Sequence, residues 1–263
     1  MGLRTMLGLK EPFHVRQSRL ATALETSAEL PDMTLFQNRM ISNHVRDLTF
    51  VDVGGLWGTN NEKVTLALQS GAKTATMADM QEMDNEWWQA FRRRAAQLNV
   101  SGYAEKLVNL DDPRVHEKLG TFDFVHCSGI VYHVPSPFYT IQRLASLTKR
   151  YLLLGSMVVP EVIVTESGEL RFDGGQMIYI PAIGDRERTI VAEHFNGVSL
   201  SVAHINLASN EHFSRNGEIN YGPWWWLYSS KTMKRMLEDI GFKVIEHAPA
   251  WEGRSHYFFC EKV

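Results

Sequence analysis

The stretch Phe50-Val-Asp-Val-Gly-Gly-Leu-Trp-Gly58 governs how the rest of the 263-residue chain is read. Its apolar half, from Thr49, has the length and composition of a strand buried on both faces. It ends in glycines, and helical spacing follows over Thr59–Gln69 up to Gly71, which reads as a C-cap. In open α/β sheets, ligands bind at the carboxyl ends of strands, and glycine lets the backbone come close to them. The run is not Gly-x-Gly-x-x-Gly and lacks the Gly-Lys-Ser/Thr of a phosphate loop. Taken alone, it also fits a plain strand-to-helix turn.

The flanking segments sharpen that reading. Lys73–Ala78 is a second strand, closed by Asp79, 25 residues after Gly54. A carboxylate there can accept both hydroxyls of a ribose. No lysine or arginine follows in the turn, which disfavours a phosphorylated ribose. Asn85–Leu98 is a helix carrying Trp87, Trp88, Phe91 and Leu98; Glu105–Leu110 is a third strand and Phe122–Cys127 a fourth. A helix over Ser136–Leu147 and a fifth strand over Tyr151–Ser156 follow. Strictly alternating strands and helices specify an α/β parallel sheet covered on both faces.

The alternation stops at Pro160. Residues 160–228 hold strand-like pieces (Glu161–Glu166, Gln176–Ile180, Ser199–His204) among Gly, Asn and His, and read as an inserted substrate-binding cap. Ser229–Ile240 is helical, with Ser229 or Ser230 as N-cap and Gly241 as C-cap. Lys243–Glu246 and His256–Glu261 are two closing strands, the last antiparallel because its connection is short. Residues 1–46 form an N-terminal helical segment, with helices over Arg16–Ser27 and Met33–His44 and a turn at Leu30-Pro31-Asp32, where Asp32 is the N-cap candidate. Residues 47–263 are the main domain.

Composition narrows the function classes. At 44% hydrophobic and 22% charged, the chain is globular rather than disordered as a whole. A net charge of −3 shows no global basic excess, which disfavours nucleic acid as partner, and Arg92-Arg93-Arg94 reads as the solvated face of its helix. Cys127 and Cys260 are too few for a disulfide framework and are expected as buried free thiols in a reducing, cytoplasmic setting. The longest apolar run, Tyr151–Pro160, falls well short of the roughly 20 residues that span a bilayer. The first residues lack a signal-peptide core.

Together, Val51–Gly58, Asp79, Asp111, the segment Phe122-Asp-Phe-Val-His-Cys-Ser-Gly-Ile-Val-Tyr-His133 with Pro135-Ser-Pro137, and the closing Met236-Leu-Glu-Asp-Ile-Gly-Phe242 resemble a class I S-adenosylmethionine-dependent methyltransferase. The likeness covers the chain from about Leu48 onward, except most of 160–220. Its fourth-strand segment is most similar to the subgroup that includes tRNA wobble-uridine carboxymethyl-transferring enzymes and small-molecule methyltransferases. The resemblance implies a Rossmann-like sheet of seven strands in the order 3-2-1-4-5-7-6 and S-adenosyl-L-methionine as cofactor. It implies that Gly54, Gly55 and Gly58 border the methionine part and that Asp52 orients the loop or the amino group. Asp79 would bind the ribose with Met80 beside the adenine, Asp111 (or the Leu110 backbone) would meet the adenine amino edge, and Ser128 and Gly129 would lie beneath the sulfonium. Leu56 departs from the pattern, standing where a glycine is usual, and Trp57 beside it would shape the methionine end.

Methyl transfer is an in-line displacement that needs an aligned acceptor, exclusion of water and often removal of a proton. His133, just past the fourth strand, is the candidate base, since an imidazole titrates near neutrality. It is also a candidate structural prop, as is Tyr132 beside it. His194, His204 and His212, with Glu193 and Glu211, match no compact metal-ligand spacing and read as pocket lining, so no metal is expected. Trp224, Trp225 and Trp226 cannot all face one core, so at least one walls a cavity where a planar ligand can stack. The expected activity is methylation of a small, planar or aromatic acceptor at oxygen or nitrogen. The alternatives are a tRNA-modifying carboxymethyl transferase, which would want a cation near the sulfonium, and a non-catalytic cofactor-binding module. No Lys or Arg lies between Phe122 and Gln142.

Overall fold

The computed structural model describes residues 32–56, 62–172, 175–196, 214–215 and 218–263. Gly58, His204, His212, Glu211, Trp57, the 16–27 helix and the 199–204 strand lie outside the described residues. Seven strands form one sheet: β1 (Thr49–Val53), β2 (Thr74–Asp79), β3 (Ala104–Leu107), β4 (Phe122–Ser128), β5 (Thr148–Met157), β12 (Phe242–Ala250) and β13 (Ser255–Lys262). Their spatial order is β3-β2-β1-β4-β5-β13-β12, the expected 3-2-1-4-5-7-6. The first five pair in parallel and β13 runs antiparallel between β5 and β12.

Period-two alternation in the central strands feeds two cores. Phe50, Phe124, Leu153 and Phe259 face one side, against α1 (Phe36–His44), α2 (Val64–Gln69) and α3 (Glu86–Gln97). Val51, Val125, Cys127, Leu152 and Leu154 face the other, against α5 (Pro137–Leu147), α7 (Ser230–Asp239) and part of the cap. A short α4 (Val115–Leu119) precedes β4. Continuous apolar strands are what a sheet covered on both faces demands. The caps follow the expected chemistry: Asn85 accepts the Trp87 N–H at 2.9 Å, and Ser229 accepts the Thr232 N–H at 3.2 Å. Both cysteines are buried free thiols, and among the described residues no helix is long and apolar enough to cross a membrane.

Several expectations are corrected. The helix before β1 begins at Phe36 rather than Met33. Asp32 caps the turn ahead of it by accepting from Thr34, and the helix N-cap is Leu35, which has no side-chain bond. The third strand stops at Leu107 rather than Leu110. The Arg92-Arg93-Arg94 face is solvated only in part: Arg93 is exposed, but Arg92 and Arg94 are tied to carboxylates. Arg92 grips Glu105 on β3 through both Nε and a terminal nitrogen, and Arg94 Nε lies 3.2 Å from the buried Glu62. Each guanidinium offsets a carboxylate that the packing brings to it, a tertiary pairing that helical spacing does not reveal. Within the cap, β6 (Val162–Thr165) and β7 (Gly168–Arg171) form a hairpin, β8 (Met177–Tyr179) pairs with β11 (Trp226–Tyr228), and β9 (Ser214–Arg215) pairs with β10 (Glu218–Ile219). Helix α6 (Asp185–Asn196) was not anticipated from the sequence. Its mixed sequence, DRERTIVAEHFN, buries Ile190–Ala192 and Phe195 together with the charged Arg188, a weak amphipathic signal.

Candidate active site

The carboxyl ends of β1, β2, β4 and β5 converge on the glycine loop. Gly54 takes φ +77° and donates its N–H to Ala78 O at 2.8 Å; a Cβ there would overlap Ile130 from the β4 side. A Cβ at Gly55 would overlap the Asp52 carboxylate. Asp52 is fully buried and uses both oxygens: Oδ2 accepts the Lys63 N–H at 2.7 Å, and Oδ1 meets His126 Nδ1 at 2.7 Å. It therefore draws the far end of the loop back onto the strand. Leu56 is buried in the α1–α3 core, so the residue standing in place of a glycine turns away from the loop's open face.

Asp79 ends β2, almost buried, and accepts from Gln81 N–H at 3.0 Å and Leu56 N–H at 3.4 Å. Burial pushes its carboxyl above the ordinary carboxylate range, and the backbone bonds offset this only in part. A cleft of about 340 Å³ opens beside it, lined by Met80, Val108, Asn109 and Asp112 among others. Met80 stands 42% exposed there, a large apolar side chain free to cover a planar ring. Asp111 is engaged from two sides: Tyr221 donates its hydroxyl to Oδ2 at 2.7 Å, and Arg143 of α5 lies 3.6 Å from Oδ1.

At the ends of β4 and β5, Ser128 Oγ lies 3.2 Å from the Tyr257 hydroxyl. Gly155, the residue between them in register, leaves the room that ring occupies, since a Cβ would overlap it. Gly129 takes φ +83° and donates to Gly155 O at 3.1 Å. Burial raises the Tyr257 and Tyr132 phenols above the usual tyrosine value.

The 3₁₀ turn Val131–His133 follows β4. His133 Nδ1 lies 3.0 Å from Pro223 O. A carbonyl can only accept, so Nδ1 carries a proton. The Tyr132 carbonyl accepts the Trp225 N–H at 2.7 Å, and Pro135 O accepts the Trp226 indole N–H at 2.9 Å. Residues 220–226 thus strap the cap across the β4 turn. The expectation that the three tryptophans cannot share one core is corrected: Trp225 belongs to the core on the α5 and α7 side of the sheet, and Trp224 and Trp226 pack against that same core. Trp224 packs edge-on against Tyr132 and Phe195, Trp225 is buried with its indole on Asn220 O, and Trp226 lies against Tyr179.

Of the His194 group, only Glu193 and His194 are among the described residues. Glu193 bonds the Ser167 N–H and hydroxyl in the β6–β7 hairpin, while His194 stacks edge-on against Phe195 with burial lowering its pKa. Among the described residues no cluster of three or more His, Cys, Asp or Glu could hold a metal. Reasoning from sequence missed His126, Tyr221 and Tyr257. Only His126 left a signal, as a polar residue inside the apolar run Phe124–Cys127.

No protein-family model matches the chain, and none of the curated proteins does. Solved structures do match. Magnesium protoporphyrin IX methyltransferase from Synechocystis, with bound S-adenosylhomocysteine, superposes with a TM-score of 0.51 at 15% identity, over 99% of this chain and 92% of that one. An O-methyltransferase family protein from Burkholderia thailandensis gives 0.52 at 15% identity, over 94% of this chain and 56% of that one. At such identities the likeness establishes the fold: this is the Rossmann-like fold that those methyltransferases share.

Proposed function

We propose that the chain is an S-adenosylmethionine-dependent methyltransferase acting on oxygen or nitrogen of a small planar or aromatic acceptor, with His133 as general base. The observation that carries this reading is the fixed His133 ring at the carboxyl edge of the sheet, its Nδ1 tied to Pro223 O and its flank formed by Tyr132, on which Trp224 packs edge-on.

The cofactor fits the residues present. Asp79 is a desolvated carboxylate at the end of β2, a state that hydroxyl donors from a ribose would relieve. Met80 and the cleft beside it suit a flat heterocycle. The glycine loop with Asp52 would hold the methionine part, and Ser128 and Gly129 would border the sulfonium. When bound, the cofactor supplies an electrophilic methyl group on a positively charged sulfur.

The chain's own residues do the rest. His133 Nε2 accepts the acceptor's proton as its nucleophilic atom develops, and Pro223 O holds the resulting imidazolium at Nδ1. Trp224 and Tyr132 orient a planar acceptor and exclude water. The structurally similar Synechocystis enzyme is a methyltransferase of magnesium protoporphyrin IX, a large planar molecule, which agrees with an aromatic-walled acceptor site.

The test is transfer of isotope-labelled methyl from S-adenosylmethionine to a panel of phenols, catechols and N-heterocycles, with bulk tRNA as a separate arm. Labelled small-molecule product supports the proposal. Product on tRNA alone, or only with a carboxylated cofactor, replaces it with the carboxymethyl-transfer reading.

A further inference from the structure

We propose that His126 is a positioning residue for the glycine loop. It holds the Asp52 carboxylate in the one orientation from which that carboxylate can hold the loop, so cofactor affinity depends on a side chain in β4 that touches no cofactor. The proposal rests on the cofactor reading above.

His126 is anomalous in its strand. Its neighbours Phe124, Val125 and Cys127 are wholly buried apolar groups, and it is itself only 2% exposed. An imidazole buried there is costly unless it is hydrogen-bonded. Among the described residues its ring makes one hydrogen bond, from Nδ1 to Asp52 Oδ1, on the directly paired residue of β1. A carboxylate accepts, so Nδ1 carries a proton. Nε2 is buried with no hydrogen-bond partner among the described residues. An N–H at that atom would be a donor with no partner among the described residues, so Nδ1 is the nitrogen that does the ring's hydrogen bonding. The ring is held in this core for what Nδ1 does.

What Nδ1 does is fix Asp52. Oδ2 of the same carboxylate takes the Lys63 N–H where the loop enters α2, and the carboxylate lies against Gly55 closely enough to exclude any side chain there. Without a donor on Oδ1, the carboxylate has one directed bond instead of two and can turn about its own axis, releasing Lys63. Other charged groups near Asp52 act on it through space: Lys63 and Glu62 at the head of α2, and Asp79 on β2. Among the described residues, none is within ion-pair distance of it except His126.

The experiment is calorimetric titration of S-adenosylhomocysteine into the wild type, His126→Leu, His126→Asn, Asp52→Asn and the His126→Leu/Asp52→Asn double variant, with melting curves for each. Loss of a hydrogen bond to a charged group predicts that His126→Leu binds about 10–100-fold more weakly. His126→Asn, whose amide can donate from nearly the same place, regains most of that loss. The double variant is no weaker than the weaker single variant, because both act on one carboxylate. Three results overturn the proposal: wild-type affinity in His126→Leu, equal losses for Leu and Asn, or losses that add in the double variant. A wild type that does not bind removes the cofactor reading and this proposal with it. If His126→Leu does not fold, the wild type decides by imidazole ¹⁵N shifts: a ring protonated on Nδ1 supports the assignment, and one protonated on Nε2 alone contradicts it.

Discussion

The strand-end wall of the site and the strap that crosses it are built by different means. In the wall, each group is held by the sheet or by its own loop: Asp52 by His126 on the adjacent strand, Asp79 by the turn that follows it, Ser128 by Tyr257 across Gly155. In the strap, the bonds join residues about 90 to 110 positions apart: His133 to Pro223, Trp226 to Pro135, Tyr221 to Asp111. The wall is an extension of the sheet and shares its rigidity. The strap is a small set of polar contacts between the cap and the β4 turn, and each can be removed singly without touching the core. Cofactor binding should therefore follow the wall, and turnover and acceptor binding the strap.

The largest expected effect tests the strap side. His133→Ala should lower kcat roughly 10²–10⁴-fold, the usual range for losing a general base. S-adenosylhomocysteine affinity should hold, and the variant should lose the ascending limb of the pH–rate profile. A variant that keeps that limb and most of its rate would remove the base role. A parallel fall in affinity and melting temperature would make His133 part of the wall.

Next comes Asp79, on the wall side. Asp79→Ala should weaken cofactor binding by about 1.5–3 kcal/mol, with acceptor KM little moved. The pH dependence follows from burial. Because the folded carboxyl has a raised pKa, it binds a proton more tightly than the unfolded chain does. Its ionised form is therefore a cost at neutral pH, and this is relieved as pH falls through the raised value. Asp79→Asn should thus melt no lower than wild type at neutral pH while binding cofactor less well. Wild-type affinity should decline on acidification before ordinary carboxylates titrate. A strongly destabilised Asp79→Asn would show that the carboxylate serves the fold rather than a ligand.

Tyr221→Phe is a smaller perturbation. It removes one hydroxyl bond between the cap and Asp111, worth about 1.5–3 kcal/mol at most when the partner is charged and less where water replaces it. The expected result is a severalfold rise in acceptor KM with a smaller change in cofactor affinity. Equal losses in both would mean that strap and wall act as one unit. Smallest of all is the chelator: removing divalent ions should leave the rate unchanged, and restoration of a lost rate by one metal would reopen the histidines of the cap.

The same contrast explains what could be read in advance. Much of the wall was legible because it is local, an apolar run ending in glycines and an acidic residue closing the next strand; His133 of the strap was legible in the same way, as a histidine just past the fourth strand. Strand order followed from the resemblance and from alternation of elements. Tyr221 and Tyr257 carried no local signal, since the first becomes functional only by meeting Asp111 and the second only because Gly155 leaves space. Arg94 was misjudged for the same reason, as its partner Glu62 lies in a different helix-loop segment. Helix α6 escaped notice because a cap helix buries a narrow stripe and needs little amphipathic order.

The central claim is that the carboxyl edge of this sheet binds S-adenosylmethionine through the glycine loop and Asp79. Calorimetric titration of S-adenosylhomocysteine into the full-length protein tests it most directly. The account predicts saturable one-to-one binding that Asp79→Ala weakens about 10–100-fold while its melting curve stays cooperative. No binding to well-folded wild type, or binding that Asp79→Ala leaves unchanged, would contradict it.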